Sequence, residues 1–189
     1  MNRIIKKDEI LTIPNMMSIF RILLLPLIVW FYNFEGNRIA AIIILLISGL
    51  SDIVDGFIAR KFNMVSDLGK IIDPIADKMT QGIMLICLIF QYKQVFVLLG
   101  VFILKEFLMT LLGWITIKRK RMVNSAKWYG KLNTVIIYSV IFFMIIIPSI
   151  PDYIVNIMII VCIAVMVMSF TYYVNMYNRI LSKDKSVKA

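Results

Sequence analysis

Long apolar stretches dominate the chain, and polar positions interrupt them at regular intervals. A helix needs roughly 20 mostly apolar residues to cross the ~30 Å hydrocarbon layer of a bilayer. Runs of that kind lie near residues 16–34, 38–60, 70–92, 94–117, 132–150 and 153–177. The second and third are broken by acidic residues, yet each keeps enough Ile, Leu, Met and Val to remain helical in or beside a membrane. The expected fold is an all-α integral membrane protein with six transmembrane helices. No Gly/Ser/Pro-rich linker divides it, so residues 1–189 read as a single membrane domain. Residues 1–12 form a short juxtamembrane segment and 178–189 a tail. The first apolar run follows Pro14 with no small-residue cleavage site behind it, and is expected to stay as a helix.

Composition agrees with this pattern. Hydrophobic residues make up 61% of the chain and charged ones 17%, and the mean hydropathy is +0.88. Such a balance lies outside that of a water-soluble domain. Cys87 and Cys162 both fall inside apolar runs, so they suggest neither a disulfide framework nor a metal spacing. Histidine is absent, which removes every mechanism that needs an imidazole base or nucleophile. Carboxylates must carry any acid-base work.

The net charge of +10 changes the picture through its distribution. Arg3, Lys6 and Lys7 precede the first run, and Arg60, Lys61, Lys70 and Lys78 flank the second connection. Lys118, Arg119, Lys120, Arg121, Lys127 and Lys131 fill the fourth, while Arg179, Lys183, Lys185 and Lys188 close the chain. The opposite side holds Arg38 and Lys93. The positive-inside rule then places both termini in the cytoplasm of a multi-pass cell-membrane protein. The basic residues are read as topology and phosphate chemistry, with no nucleic-acid partner. The run from Lys118 to Arg121 suits attraction to anionic headgroups. Trp30, Tyr32, Tyr92, Trp128 and Tyr172 fall near span ends, as interfacial anchors do.

The candidate chemistry lies in Asp52, Asp55, Asp73 and Asp77, at the cytoplasmic ends of the second and third spans. Ionised carboxylates at that depth are costly unless paired or metal-bound. Asp52 and Asp55 are three residues apart and Asp73 and Asp77 four apart, so each pair shares a helix face. Two packed helices can therefore converge all four. Such hard oxygen ligands select Mg²⁺, Mn²⁺ or Ca²⁺ over zinc or copper. The plainer alternative is that they are helix caps or exposed interfacial charges. A cation transporter would also use intramembrane carboxylates, but distributed along a route through the bilayer rather than gathered near one face.

The order Asp52-x-x-Asp55-Gly56-x-x-Ala59-Arg60, eight residues, then Gly69-x-x-x-Asp73-x-x-x-Asp77 resembles the signature of the CDP-alcohol phosphotransferase family at all eight fixed positions. The segment Ile13-Pro14-Asn15-Met16-Met17-Ser18, followed by Arg21 and Pro26, is similar to the start of the family branch that makes phosphatidylglycerophosphate. The resemblance implies two divalent metal ions, Mg²⁺ or Mn²⁺, on the four aspartates, with Asp77 also the general base. It further implies contacts to the CDP-lipid from Asn15, Ser18, Gly56, Ala59, Arg60, Ser66 and Gly69. For Gly56 and Gly69, close helix packing stands equally open.

The implied reaction moves a phosphatidyl group from CDP-diacylglycerol to glycerol 3-phosphate, releasing CMP at the cytoplasmic face. Family members are often homodimers, and this chain is expected to be one among its membrane lipids. An acceptor phosphate calls for basic groups, and Lys105, Lys127 and Lys131 are the candidates. Lys105 reads equally as a structural partner of the adjacent Glu106. Where that branch has Gly-Lys-x-Lys-Thr, this chain has Gly130-Lys131-Leu132-Asn133-Thr134. Asn133 in place of a lysine leaves phosphatidylglycerol open as acceptor, the reaction of the family's cardiolipin synthases.

Overall fold

The computed structural model describes residues 12–62, 69–120, 128–147 and 149–182, and all the regular structure among them is helical. The α-helices are α1 (Ile13–Val29), α2 (Arg38–Lys61), α3 (Gly69–Ile89), α4 (Val95–Lys120), α5 (Trp128–Ile146) and α6 (Asp152–Ser182). Each of the six apolar runs is a helix. Helices long and apolar enough to cross a membrane span Pro14–Phe34, Val95–Thr116, Trp128–Ile146 and Asp152–Tyr177. α2 and α3 differ from these in carrying the acidic residues: Asp52, Asp55, Asp73 and Asp77 lie within them, with Lys78 beside Asp77.

Helix ends follow local chemistry. Pro14 sits in the first turn of α1, where its missing N–H costs nothing. After Pro26 the helix widens into a π-helical turn, Trp30–Phe34, closed by the Glu35 N–H on the Trp30 carbonyl at 3.1 Å. Gly36 then takes φ 66°, and the Asn37 side chain caps α2 by accepting from the Ala40 N–H at 3.1 Å. α5 starts at Trp128, four residues before the expected 132. Tyr129 stacks with Tyr172 at 5.4 Å and meets Tyr173 edge-on at 4.6 Å, so aromatic packing carries the helix through the charged Lys131.

The chain divides into two compact units, Met1–Phe90 and Gln91–Ala189. In the first, α1 packs against both α2 and α3, which share far less backbone contact with each other. Its buried stripe runs Asn15, Ser18, Arg21, Leu25, Ile28, Tyr32, spaced at helical period. The stripe is polar at its start and apolar beyond. α2 answers with Ala41, Ser48 and Asp55 at heptad spacing, and α3 with Gln81, Met84, Leu85 and Leu88.

In the second unit α6 packs against α4 and α5. Val155, Ile159, Cys162 and Met166 form its buried stripe. The turn before α6 is pinned by the Ile150 N–H donating to Tyr92 Oη at 3.1 Å and by Gln94 Nε2 donating to Asp152 Oδ1 at 3.0 Å.

Candidate active site

The polar end of the α1 stripe meets the acidic turns of α2 and α3. Arg21 is the centre of this meeting. Its Nη1 donates to Asp52 Oδ1 in a short ion pair, and its Nη2 donates to Asp55 Oδ2 at 3.1 Å. One planar fork thus bridges two carboxylates three residues apart, with a separate nitrogen for each, a geometry preorganised in a guanidinium and not in a lysine ammonium. The two acids sit differently: the Asp52 side chain is 52% exposed and that of Asp55 5% exposed. Asp55 is the one that burial makes dependent on a partner.

Ser18, one turn before Arg21 and fully buried, extends the network to α3. Its hydroxyl donates to Asp73 Oδ1 at 2.5 Å and accepts from Arg21 Nη2 at 3.3 Å. Three of the four aspartates are therefore gathered by two residues of α1. Asp77 is held from its own helix, where buried Gln81 donates from Nε2 to Asp77 Oδ2 at 3.3 Å. The negative fields of Asp77 and Asp73 reach the Asp52 carboxylate, so the acids act on one another across α2 and α3.

This differs from two helices closing directly on each other. With Asp52 and Asp55 turned to Arg21 and Asp73 turned to Ser18, no three carboxylates among the described residues surround a common metal-sized point. The donor chemistry nonetheless suits a hard divalent cation: hard carboxylate oxygens from two helices, two of which already grip a cationic side chain.

Other expected residues fall as follows. Asn15 is buried on α1 beside this network. Gly56, Ala59 and Arg60 continue α2 past Asp55, and buried Gly69 begins α3. Ser66 and Lys127 lie outside the described residues. In the second unit, Lys105 is buried and its Nζ pairs with Glu106 Oε1 at 2.7 Å, while Lys131 is exposed on the first turn of α5. Asn133 is buried with no partner for its Oδ1.

Sequence reasoning attached no role to Arg21 or Gln81. Each stands one helical turn from a residue already singled out, Arg21 three after Ser18 and Gln81 four after Asp77, and that spacing was the available signal.

The family model described as CDP-alcohol phosphatidyltransferase matches residues 11–180. The chain is 34% identical over 133 residues to a protein of Aquifex aeolicus named CDP-diacylglycerol--glycerol-3-phosphate 3-phosphatidyltransferase, covering 67% of this chain and 71% of that one. A protein of the same name from Salmonella typhimurium is 29% identical over 127 residues, covering 65% and 70%. A Streptomyces coelicolor protein named cardiolipin synthase (CMP-forming) is 39% identical over 80 residues, covering 40% of this chain and 37% of its own length.

Proposed function

Since the chain belongs to the CDP-alcohol phosphatidyltransferase family, we propose that it transfers a phosphatidyl group from CDP-diacylglycerol to glycerol 3-phosphate, forming phosphatidylglycerophosphate and releasing CMP. The observation that carries this reading is the acid site itself, in which Asp52, Asp55 and Asp73 collect around Ser18 and Arg21. The names of the Aquifex and Salmonella relatives support glycerol 3-phosphate as acceptor.

Asp52, Asp55, Asp73 and Asp77 would hold two divalent cations, Mg²⁺ or Mn²⁺, which when bound neutralise the diphosphate and the charge growing on the leaving CMP. Asp77 takes the proton from the acceptor hydroxyl, and Gln81 orients that carboxylate through its Nε2–H. The acceptor oxygen forms its bond to the lipid-side phosphorus as the bond to the CMP oxygen breaks. A carboxylate is a weak base near neutral pH, so alignment of hydroxyl, phosphorus and leaving oxygen supplies most of the acceleration. Arg60 and Ser66 are assigned to the diphosphate. Asn15, Ser18, Gly56, Ala59 and Gly69 are assigned to the CDP-lipid. Lys105, Lys127 and Lys131 are assigned to the acceptor phosphate, with Lys105 held ready by Glu106.

The wider arrangement belongs to the same reading. All six helices cross or enter the cell membrane, both termini face the cytoplasm with the acid site, and the chain works as a homodimer. Outward-facing Leu23, Phe34, Phe90, Phe96, Phe107 and Ile160 suit contact with lipid. Reporter fusions at each terminus test the orientation, and cross-linking in native membranes tests the dimer.

Asn133 favours a second reading, transfer to phosphatidylglycerol with cardiolipin as product. A buried amide stands there where a lysine is expected for an acceptor with a terminal, dianionic phosphate. One experiment decides between them: purified protein with CDP-diacylglycerol, Mn²⁺ or Mg²⁺, and either glycerol 3-phosphate or phosphatidylglycerol, the lipid product read by mass spectrometry. Phosphatidylglycerophosphate upholds the first reading, and cardiolipin the second. No CMP release with either acceptor rejects both.

A further inference from the structure

Arg21 is a cation placed where it is hard to dispense with. Its side chain is 4% exposed, and it reaches one oxygen of Asp52 and one of Asp55. Two carboxylates on neighbouring positions of one helix face repel each other, and burial of Asp55 strengthens that repulsion by lowering the local dielectric. The third edge of the guanidinium points to a priority. Arg21 Nε is buried with no hydrogen-bond acceptor. A side chain placed to satisfy its own donors would not leave one orphaned at this depth. The group is oriented by the two acids, and it yields one of its own hydrogen bonds to face them both.

We propose that Arg21 is the resident counter-ion of the acid site, a positioning residue that keeps Asp52 and Asp55 together and makes the fold of residues 1–90 independent of bound metal. The link to metal rests on the reading of the aspartates as metal ligands; the counter-ion role does not. A +1 charge lodged between two ligands also opposes a divalent cation, so Arg21 gives the metal-free protein its stability and tempers its metal affinity. Removing it leaves buried Asp55, beside half-exposed Asp52, without its counter-charge, which an added cation can supply. Stability should then depend on metal in the variant far more than in the wild type. By linkage, the ion that stabilises the variant more must bind it more tightly.

The test is thermal unfolding of the purified full-length protein in detergent, in chelator and in Mn²⁺, for wild type, Arg21→Gln, Arg21→Lys and Arg21→Gln/Asp55→Asn. In chelator the midpoint of Arg21→Gln is expected to fall by on the order of 5 to 10 °C, with Arg21→Lys between it and wild type. Mn²⁺ is expected to recover most of that loss while moving the wild type much less. Adding Asp55→Asn is expected to recover it in chelator, with no metal present. Electron paramagnetic resonance of free Mn²⁺ should show the Arg21→Gln protein binding the ion about tenfold more tightly.

An unchanged midpoint in chelator overturns the proposal. So does a failure of Asp55→Asn to restore stability in chelator, which would make Arg21 a packing residue; an equal loss in chelator and in Mn²⁺, with Mn²⁺ bound to the wild type, overturns the link between Arg21 and metal affinity. Should Arg21→Gln alone not yield folded protein, recovery of folding by the added Asp55→Asn upholds the proposal and its absence overturns it. If Mn²⁺ does not bind the wild type, the metal reading of the aspartates fails, and the chelator series still decides the counter-ion role.

Discussion

Ser18 on α1 donates its hydroxyl hydrogen to Asp73 on α3 at 2.5 Å, across 55 positions of sequence. The same oxygen accepts from Arg21. A hydroxyl can do both at once, which is why a serine and not an alanine joins the arginine to the third aspartate.

Replacing it tests that link. Ser18→Ala is expected to lower kcat about tenfold through a misdirected Asp73, and to cost only about 1 kcal/mol of stability. Ser18→Thr keeps the hydroxyl and should recover most of the activity. Steady-state CMP release beside a thermal unfolding curve separates the two effects.

Asp77 and Gln81 should divide base from orientation. Asp77→Asn is expected to lower turnover by about 10²-fold to 10⁴-fold while the protein still folds and inserts. Gln81→Leu should reduce kcat by only about tenfold, since the base remains and loses its aim. Because Gln81 Oε1 is buried without a partner, the leucine variant should be at least as stable as wild type. Activity near wild type in purified Asp77→Asn removes Asp77 from the base role.

In the second unit, Lys105 and Glu106 form a pair that is largely withdrawn from solvent. Lys105→Met leaves the carboxylate without this ammonium and is expected to cost about 2 kcal/mol. Adding Glu106→Gln should return part of that loss, because the orphaned charge is then gone. Thermal midpoints of the two single variants and the double variant close the cycle. Strict additivity would show that the pair is not coupled.

Gly130 marks a close approach. A Cβ built there would lie 2.5 Å from Tyr173 Oη, so the tyrosine ring must shift to admit any side chain. Gly130→Ala is expected to destabilise the protein by about 1 to 3 kcal/mol. Tyr173→Phe in the same chain removes the colliding oxygen and should relieve most of the loss, as read by thermal unfolding.

Much of the molecule was legible in its order of residues. Six helices follow from apolar runs broken by charged turns, and the four aspartates stand out because carboxylates are expensive among such runs. These are properties of neighbouring residues, and neighbours in sequence remain neighbours in a helix. The ends were less secure: α5 begins earlier than hydropathy suggests because Trp128 and Tyr129 find aromatic partners on α6, some forty positions away.

What tertiary structure decided is who holds the acids. Spacing alone suggested that α2 and α3 meet and close the carboxylates on one another, whereas both helices pack on α1 and present Asp52, Asp55 and Asp73 to Ser18 and Arg21. Those contacts join residues 31, 34 and 55 positions apart. No local rule fixes them, because they depend on which faces of three separate helices are buried together. Once that packing puts Arg21 in the interior, the cost of an unpaired buried charge leaves it one stable choice, the acids across the interface.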